Sequence, residues 1–362
     1  MTLRNNVIDR GKVGNTPALL SRADETYADF MRDTRDLLLH QPFKQISAVA
    51  DAAMKEHGVD YALDHDTINK VRAIAAGVPE LAAFLRVKRS AQEIYKQRII
   101  ESYDRQQDDF IRKIEDAEKR GPGTLTYDPQ FQYPDYATVE IHIQPGGYTG
   151  HPLAGLYYDY GTSVFFGDGG KDDVLHKKLA AKCAIPQDGK VERVLDLATS
   201  IGQLACELKK RFPDAEVHGI DISSAMLRYA HWRALEQNTE IHLSQMATED
   251  MEFETASFDL VTSHLLFHEI PLEVIKKTLK EIRRVLRPGG TYVMFDFPTT
   301  TPQMQGYGGF AGLMDAADNG EPYAFGFVKC GIENLLEEAG LKLRSHDKGV
   351  IMQTGRVCDA IE

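Results

Sequence analysis

Two periodicities divide the chain. From about residue 23 to 120, apolar positions recur at three- and four-residue steps. Tyr27, Phe30, Met31, Thr34, Leu37 and Leu38 form one such series, and Tyr95, Ile99, Tyr103, Phe110 and Ile114 another, with charged residues on the opposite face. That step lays a single stripe along a helix. Pro79 is suited to open a helix and Gly121-Pro122-Gly123 to stop one, so the spacing predicts one long amphipathic helix from Pro79 to Arg120. Its stripe needs a partner surface, either the rest of this chain or a second copy, and homodimerisation through these helices is the expectation.

From about residue 173, short apolar runs alternate with helical stretches. Strands are expected at 192–197, 216–220, 240–244, 258–263 and 290–297, then a helix at 328–339 and strands at 341–346 and 349–357. Alternating βα units imply an α/β, doubly wound, mostly parallel sheet of seven strands. The last two strands, joined through Asp347-Lys348-Gly349, read as an antiparallel hairpin at its edge. Between the two regimes, residues 121–172 are rich in Gly, Pro and aromatic residues, and Thr138-Val139-Glu140-Ile141-His142-Ile143 alternates like a strand. This connector is too aromatic for a flexible linker, and a lid over a binding site is its expected role. The division is a helical domain at 1–120, a connector or lid at 121–172 and an α/β domain at 173–362.

Composition narrows the function. The 362 residues hold 42 basic and 54 acidic side chains, a formal net charge of −12, and no Lys/Arg run. An acidic chain without a basic stripe is poorly suited to a nucleic-acid backbone, so a small-molecule partner is expected and nucleic acid is not. No apolar run is long enough to span a bilayer, and Met1-Thr2-Leu3-Arg4-Asn5-Asn6 lacks the apolar core of a signal peptide. Cys183, Cys206, Cys330 and Cys358 are widely separated, which leaves no local Cys-x-x-Cys pair. No membrane association and a cytoplasmic location are expected.

The chemistry concentrates in Val194-Leu195-Asp196-Leu197-Ala198-Thr199-Ser200-Ile201-Gly202-Gln203-Leu204, where a strand ends in an acid, turns through small residues and enters a helix. About 25 residues on, Val217-His218-Gly219-Ile220 ends in a second acid, Asp221. Loop, helix and second acid describe a nucleoside crevice beyond the carboxyl ends of parallel strands. A carboxylate at Asp221 can accept from both hydroxyls of a ribose. GxGxxG is absent, which disfavours a dinucleotide.

Four segments at these spacings resemble the class I S-adenosylmethionine-dependent methyltransferases over roughly 173–362. They are the Asp196–Gly202 loop, Gly219-Ile220-Asp221-Ile222-Ser223, Ser257-Phe258-Asp259-Leu260-Val261-Thr262-Ser263, and Arg284-Val285-Leu286-Arg287-Pro288-Gly289-Gly290. The resemblance implies a Rossmann-like methyltransferase fold, S-adenosyl-L-methionine as cofactor and S-adenosyl-L-homocysteine as product. It places Asp196, Ala198, Thr199, Ser200 and Gly202 at the methionine end, Asp221 at the ribose, Ile222 against the adenine, Ala247 and Thr248 by its amino group, and Met226 and Ser263 along the cofactor wall. The family loop reads Asp-x-Gly-x-Gly-x-Gly, whereas Ala198 and Ser200 stand at its first two glycine positions, where positive φ is harder to reach. Within the family, the C-terminal part most resembles the branch that includes quinone-biosynthesis C-methyltransferases and many natural-product methyltransferases, which act on oxygen, nitrogen, carbon or sulfur.

Ser263-His264-Leu265-Leu266-Phe267-His268-Glu269 leaves the strand that faces the acceptor in this fold. His268 and His264 are the candidate bases and Glu269 an orienting partner. The segment begins at a strand end, so His-x-x-x-His is not read as a metal site. The connector, with His151, Tyr157, Tyr158, Tyr160, Phe165 and Phe166, and the long insertion 297–327, with Met304, Tyr307, Phe310, Met314, Tyr323 and Phe325, are expected to cover the crevice. His151, Tyr158, Tyr307 and Phe310 are the candidate acceptor contacts. The alternative is a methyltransferase-like protein without cofactor that binds partners through its helices.

Overall fold

The computed structural model describes residues 10–39, 41–62, 64–165, 172–299, 306–348 and 354–361. A short antiparallel pair, β1 (Lys12–Val13) and β2 (Thr16–Pro17), precedes five helices. These are α1 (Arg22–Leu39), α2 (Gln41–Glu56), α3 (His65–Gly77), α4 (Pro79–Asp104) and α5 (Gln107–Ala117). The connector contributes β3 (Thr124–Thr126) and α6 (Ala154–Phe165), and α7 (Val174–Lys182) follows. Then come β4 (Arg193–Leu197), α8 (Gln203–Arg211), β5 (Glu216–Asp221), α9 (Ser224–Glu236), β6 (His242–Gln245), β7 (Phe258–His264), α10 (Leu272–Val285) and β8 (Leu286–Asp296). The chain closes with α11 (Gly306–Asp318), α12 (Ala324–Lys329), α13 (Ile332–Glu338), β9 (Leu341–Lys348) and β10 (Thr354–Ala360).

The sheet order is β3-β6-β5-β4-β7-β8-β10-β9, with β3 through β8 parallel and β10 antiparallel to both β8 and β9. The mostly parallel, helix-covered sheet is the expected one. It gains an eighth strand because Thr124–Thr126 of the connector pairs with His242–Ser244. The order of strands reverses between β4 and β7, and at such a switch point the loops diverge and leave a crevice. The expected turn beyond Lys348 falls at 349–353, outside the described residues.

The long helix predicted from Pro79 breaks at Arg105-Gln106, where Gln106 leaves helical geometry at φ −120 and ψ 15. The break lets Phe110, Ile114 and Ala117 of α5 drop onto Trp232 of α9, in one core with Tyr95, Ile99 and Tyr103 of α4 and Tyr157 and Tyr160 of α6. The helical stripe is therefore covered largely by this chain. The strand expected at 138–143 is also absent. Asp135–Thr138 and Ile141–Ile143 form single 3₁₀ turns, and positive φ at His142 (56°) and Ile143 (58°) cannot belong to a ladder.

A buried ionic knot ties the connector to the sheet. Arg233 of α9 binds Asp159 of α6 at 3.0 Å and Asp173 at 2.8 Å, while the Tyr229 hydroxyl donates to Asp159 at 2.6 Å. Gly155 makes this contact possible, since a Cβ there would sit 2.6 Å from the Cβ of Tyr229. Removing one member would leave a buried charge uncompensated, at a cost of about 3–5 kcal/mol.

Candidate active site

A cavity of about 850 Å³ opens at the switch point, between the sheet on one side and the connector, α1, α4 and α11 on the other. That volume lies in the upper part of the range for ligand pockets. Ala198, Ser200, Asp221, Ile222, Met226, Thr248, His264, His268 and Glu269 line it, as does Tyr158.

The loop after β4 solves the problem posed by its missing glycines. Ala198 (φ 50), Ser200 (φ 54) and Gly202 (φ 74) all adopt left-handed backbone. For Ala and Ser this conformation costs roughly 1–2 kcal/mol each. Fixed bonds hold it: the Thr199 amide donates to the Ile220 carbonyl at 2.8 Å, and the Ser200 amide to Asp221 Oδ2 at 2.9 Å. The loop thus keeps the tight backbone path without the usual residues.

Asp221 ends β5 beside α9, whose N-cap is Ser223. Its Oδ1 accepts the Ser223 amide at 2.8 Å, so each oxygen is oriented by one backbone donor and retains acceptor capacity toward the cavity. Burial raises its pKa to about 6, Glu269 adds to the rise, and the two serine amides oppose it. Asp196 lies behind the wall. Its oxygens accept Thr199 Oγ1 at 2.7 Å and Thr262 Oγ1 at 2.8 Å, and burial raises its pKa to about 7.

Thr199, Gly202, Ala247 and Ser263 likewise do not line the cavity. The Ser263 hydroxyl is taken by Tyr292 at 2.7 Å, between β7 and β8. Thr248 shares its hydroxyl with Thr278 at 3.0 Å while presenting its remaining surface to the cavity. Met246, which sequence reasoning did not single out, lines the wall beside Ile222.

His268 is 2% exposed, and its ring stacks on Phe297 at 4.1 Å. Its Nδ1 donates to Asp296 Oδ1 at 2.7 Å, and Asp296 is held in turn by the amides of Phe267 and Phe297. Burial works to lower the pKa of His268, but Asp296, with Glu269 and Glu321, overcomes it and raises it to about 9. Glu269 lies 3.8 Å from His268 Nε2 and accepts from His142 Nε2 at 3.2 Å. His142 Nδ1 faces Glu321 at 3.2 Å. A continuous series of carboxyl and imidazole groups therefore runs Asp296, His268, Glu269, His142, Glu321, the last four of them lining the cavity. Asp296, His142 and Glu321 were missed, since no local spacing links residues 142, 268, 296 and 321. His264 lines the cavity and meets His176 edge-on at 5.1 Å.

The acceptor candidates divide. Tyr158 faces the cavity, with Tyr148 packed edge-on against it at 5.6 Å. His151 does not: its Nδ1 accepts the Leu153 amide at 3.1 Å and its Nε2 meets the Tyr157 hydroxyl at 3.3 Å. Tyr307 and Phe310 point the other way, into a core with Ala50, Met54, Ile68, Val71 and Leu81 of the helical domain. The insertion is not a loop but the helices α11 and α12, and the opposite side of α11, with Gly308, Gly309, Gly312 and Leu313, lines the cavity. Phe166 and Met304 lie outside the described residues. Among the described residues, no three His, Cys, Asp or Glu side chains form a group able to hold a metal.

Residues 194–290 match the model of a methyltransferase domain family. A demethylmenaquinone methyltransferase of Thermus thermophilus is 36% identical over 126 residues, 35% of this chain and 56% of that protein. A ubiquinone/menaquinone biosynthesis C-methyltransferase of Bdellovibrio bacteriovorus is 34% identical over 106 residues, 29% of this chain and 44% of its own length. The matches span about half the length of these relatives. A solved SAM-dependent methyltransferase of Aquifex aeolicus is 18% identical, covering 58% of this chain and 99% of its own with a TM-score of 0.43. Residues 194–290, from β4 to the Pro-Gly-Gly turn, are thus similar to methyltransferase domains.

Proposed function

We propose that the protein transfers a methyl group from S-adenosylmethionine to a small organic acceptor held between the sheet and the helical domain. The observation that carries this reading is Asp221, oriented by two backbone amides in the wall of a cavity that His268 also lines. The residues present fit the cofactor. Asp221 offers a paired acceptor for a ribose diol, Ile222, Met226 and Met246 offer apolar surface for an adenine, and the Ala198–Gly202 turn admits the methionine end. Asp221 and Glu269 add negative charge suited to a cationic nucleoside. When bound, S-adenosylmethionine supplies an electrophilic methyl group on a sulfonium sulfur.

The chain's own work is alignment, exclusion of water and proton removal. His268 Nε2 is the base for the acceptor's proton, while the Nδ1–H bond to Asp296 fixes the tautomer and supports the imidazolium. A pKa raised to about 9 leaves His268 protonated at neutral pH in the free protein, so its base form grows in as pH rises. His264 and Glu269 are positioned to orient the acceptor. The named activities of the relatives support a quinone-type aromatic acceptor reacting at carbon, and an open cavity disfavours a cofactor-free scaffold. Calorimetry with S-adenosylhomocysteine and Asp221→Ala tests the reading: micromolar binding lost in the variant supports it, and no binding to the intact protein overturns it.

We also propose that the three divisions act as acceptor-binding, lid and cofactor-binding parts, and that the protein self-associates. Phe30 and Leu37 of α1 (64% and 65% exposed) and Val87 and Ile94 of α4 (48% and 39%) repeat at one-heptad spacing on outer faces, which suits a second copy. Light scattering of the purified protein tests this. Four free cysteines, three of them buried, fit a reducing compartment such as the cytoplasm. Among the described residues no helix is long and apolar enough to cross a membrane.

A further inference from the structure

The helical domain sends cations into the cavity. Lys96 of α4, only 9% exposed, and Arg35 of α1, 8% exposed, line the same space as Asp221 and His268. Lys96 is the informative one. Among the described residues no carboxylate approaches its ammonium within the 4.0 Å of an ion pair, and it makes no hydrogen bond. Glu321 acts on it only at longer range and is itself engaged by His142.

A charged ammonium taken from water without a partner costs several kcal/mol. Nothing in the packing of α4 requires one there, since its neighbours in the core, Tyr95 and Ile99, are aromatic and aliphatic. The surrounding wall includes Val139, Ile141, Leu266, Ile270, Leu313 and Val328, which suits a ring system. Glu321 nearby opposes a dianion such as a phosphate monoester and tolerates a single negative charge.

We propose that Lys96, with Arg35 beside it, binds a carboxylate carried by the aromatic acceptor, so that the helices select an acceptor with an acid group on its ring system over its neutral counterpart. The inference rests on the methyltransferase reading for the meaning of "acceptor", but its test does not. In the free protein burial, with Arg35 adding to it, lowers the pKa of Lys96 to about 7. A carboxylate then raises it, and the site takes up a proton on binding near pH 8.

The probe is 2-naphthoate, compared by calorimetry with its neutral isostere 2-naphthamide, on the full chain. The intact protein should bind the acid at least ten-fold more tightly, with proton uptake at pH 8 read from enthalpies in buffers of different ionisation heat. Lys96→Met should erase both preference and uptake, and Lys96→Arg should keep the preference without the uptake. Equal binding of acid and amide by the intact protein, or a preference that survives in folded Lys96→Met, overturns the proposal. S-adenosylhomocysteine binding is measured in parallel on each protein. Its absence in the intact protein would defeat the methyltransferase reading alone, while its retention in Lys96→Met shows that the variant is folded.

Discussion

The two walls of the cavity are built differently. The sheet-side wall comes from short segments near Ala198 and Ser200, Asp221, Ile222 and Met226, Met246 and Thr248, and 264–269. Each ends or follows a parallel strand, and its geometry is set by local backbone bonds such as those from Ser200 and Ser223 to Asp221. The opposite wall draws single residues from α1, α4, the connector, α11 and α12. A locally encoded wall suits an invariant nucleoside, whereas a wall assembled from many helices can change its chemistry without disturbing the sheet.

That contrast can be broken first at His268. His268→Asn keeps an N–H for Asp296 but removes the base, and kcat should fall about 10²–10⁴-fold with S-adenosylhomocysteine affinity nearly unchanged. In the intact protein kcat/KM should rise with pH toward about 9, because His268 must lose its proton to act. Asp296→Asn removes the interaction that raises this pKa, so the rising limb should move to lower pH. A limb that stays in place would assign the ionisation elsewhere.

Asp221→Ala tests the cofactor wall, where losing two hydrogen bonds to a charged acceptor, at about 1.5–3 kcal/mol each, should weaken S-adenosylhomocysteine binding a hundred-fold or more. Acidification below about pH 6 should weaken binding in the intact protein too, because the raised pKa of Asp221 lets it protonate there. Phe310→Ala separates joint from pocket. It should lower stability by about 3–5 kcal/mol, read from denaturant midpoints, with cofactor affinity kept in the folded fraction. The smallest effect is expected at Ala198→Gly, which relieves a left-handed φ and should raise the melting temperature by no more than a few degrees.

Most of the sheet-side wall was legible because it is written in adjacent residues. A strand ending in an acid, a small-residue turn and a second acid require only local geometry, and Ala198 and Ser200 keep the glycine-like path at modest strain. Asp196, Thr199 and Ser263 were legible as motif residues but not as buried support, since that depends on Thr262 and Tyr292 across strands. Tyr307 and Phe310 were misread for a related reason. A helix presents two faces, and only packing decided that their face meets α2 and α3 while the glycine-rich face meets the cavity. His151 is withdrawn from the cavity because Leu153 and Tyr157 engage both its ring nitrogens, contacts that depend on how the connector folds.

The sequence by itself determined the parallel sheet, the small-residue turn after β4 and the acid that ends β5, because hydrophobic period and turn chemistry act between neighbours along the chain. Only the tertiary structure decided which charges gather at and behind the cavity wall. Asp296, His142, Glu321 and Lys96 lie far apart in the chain, and their influence on one another is electrostatic, fixed by distance and burial and not by spacing.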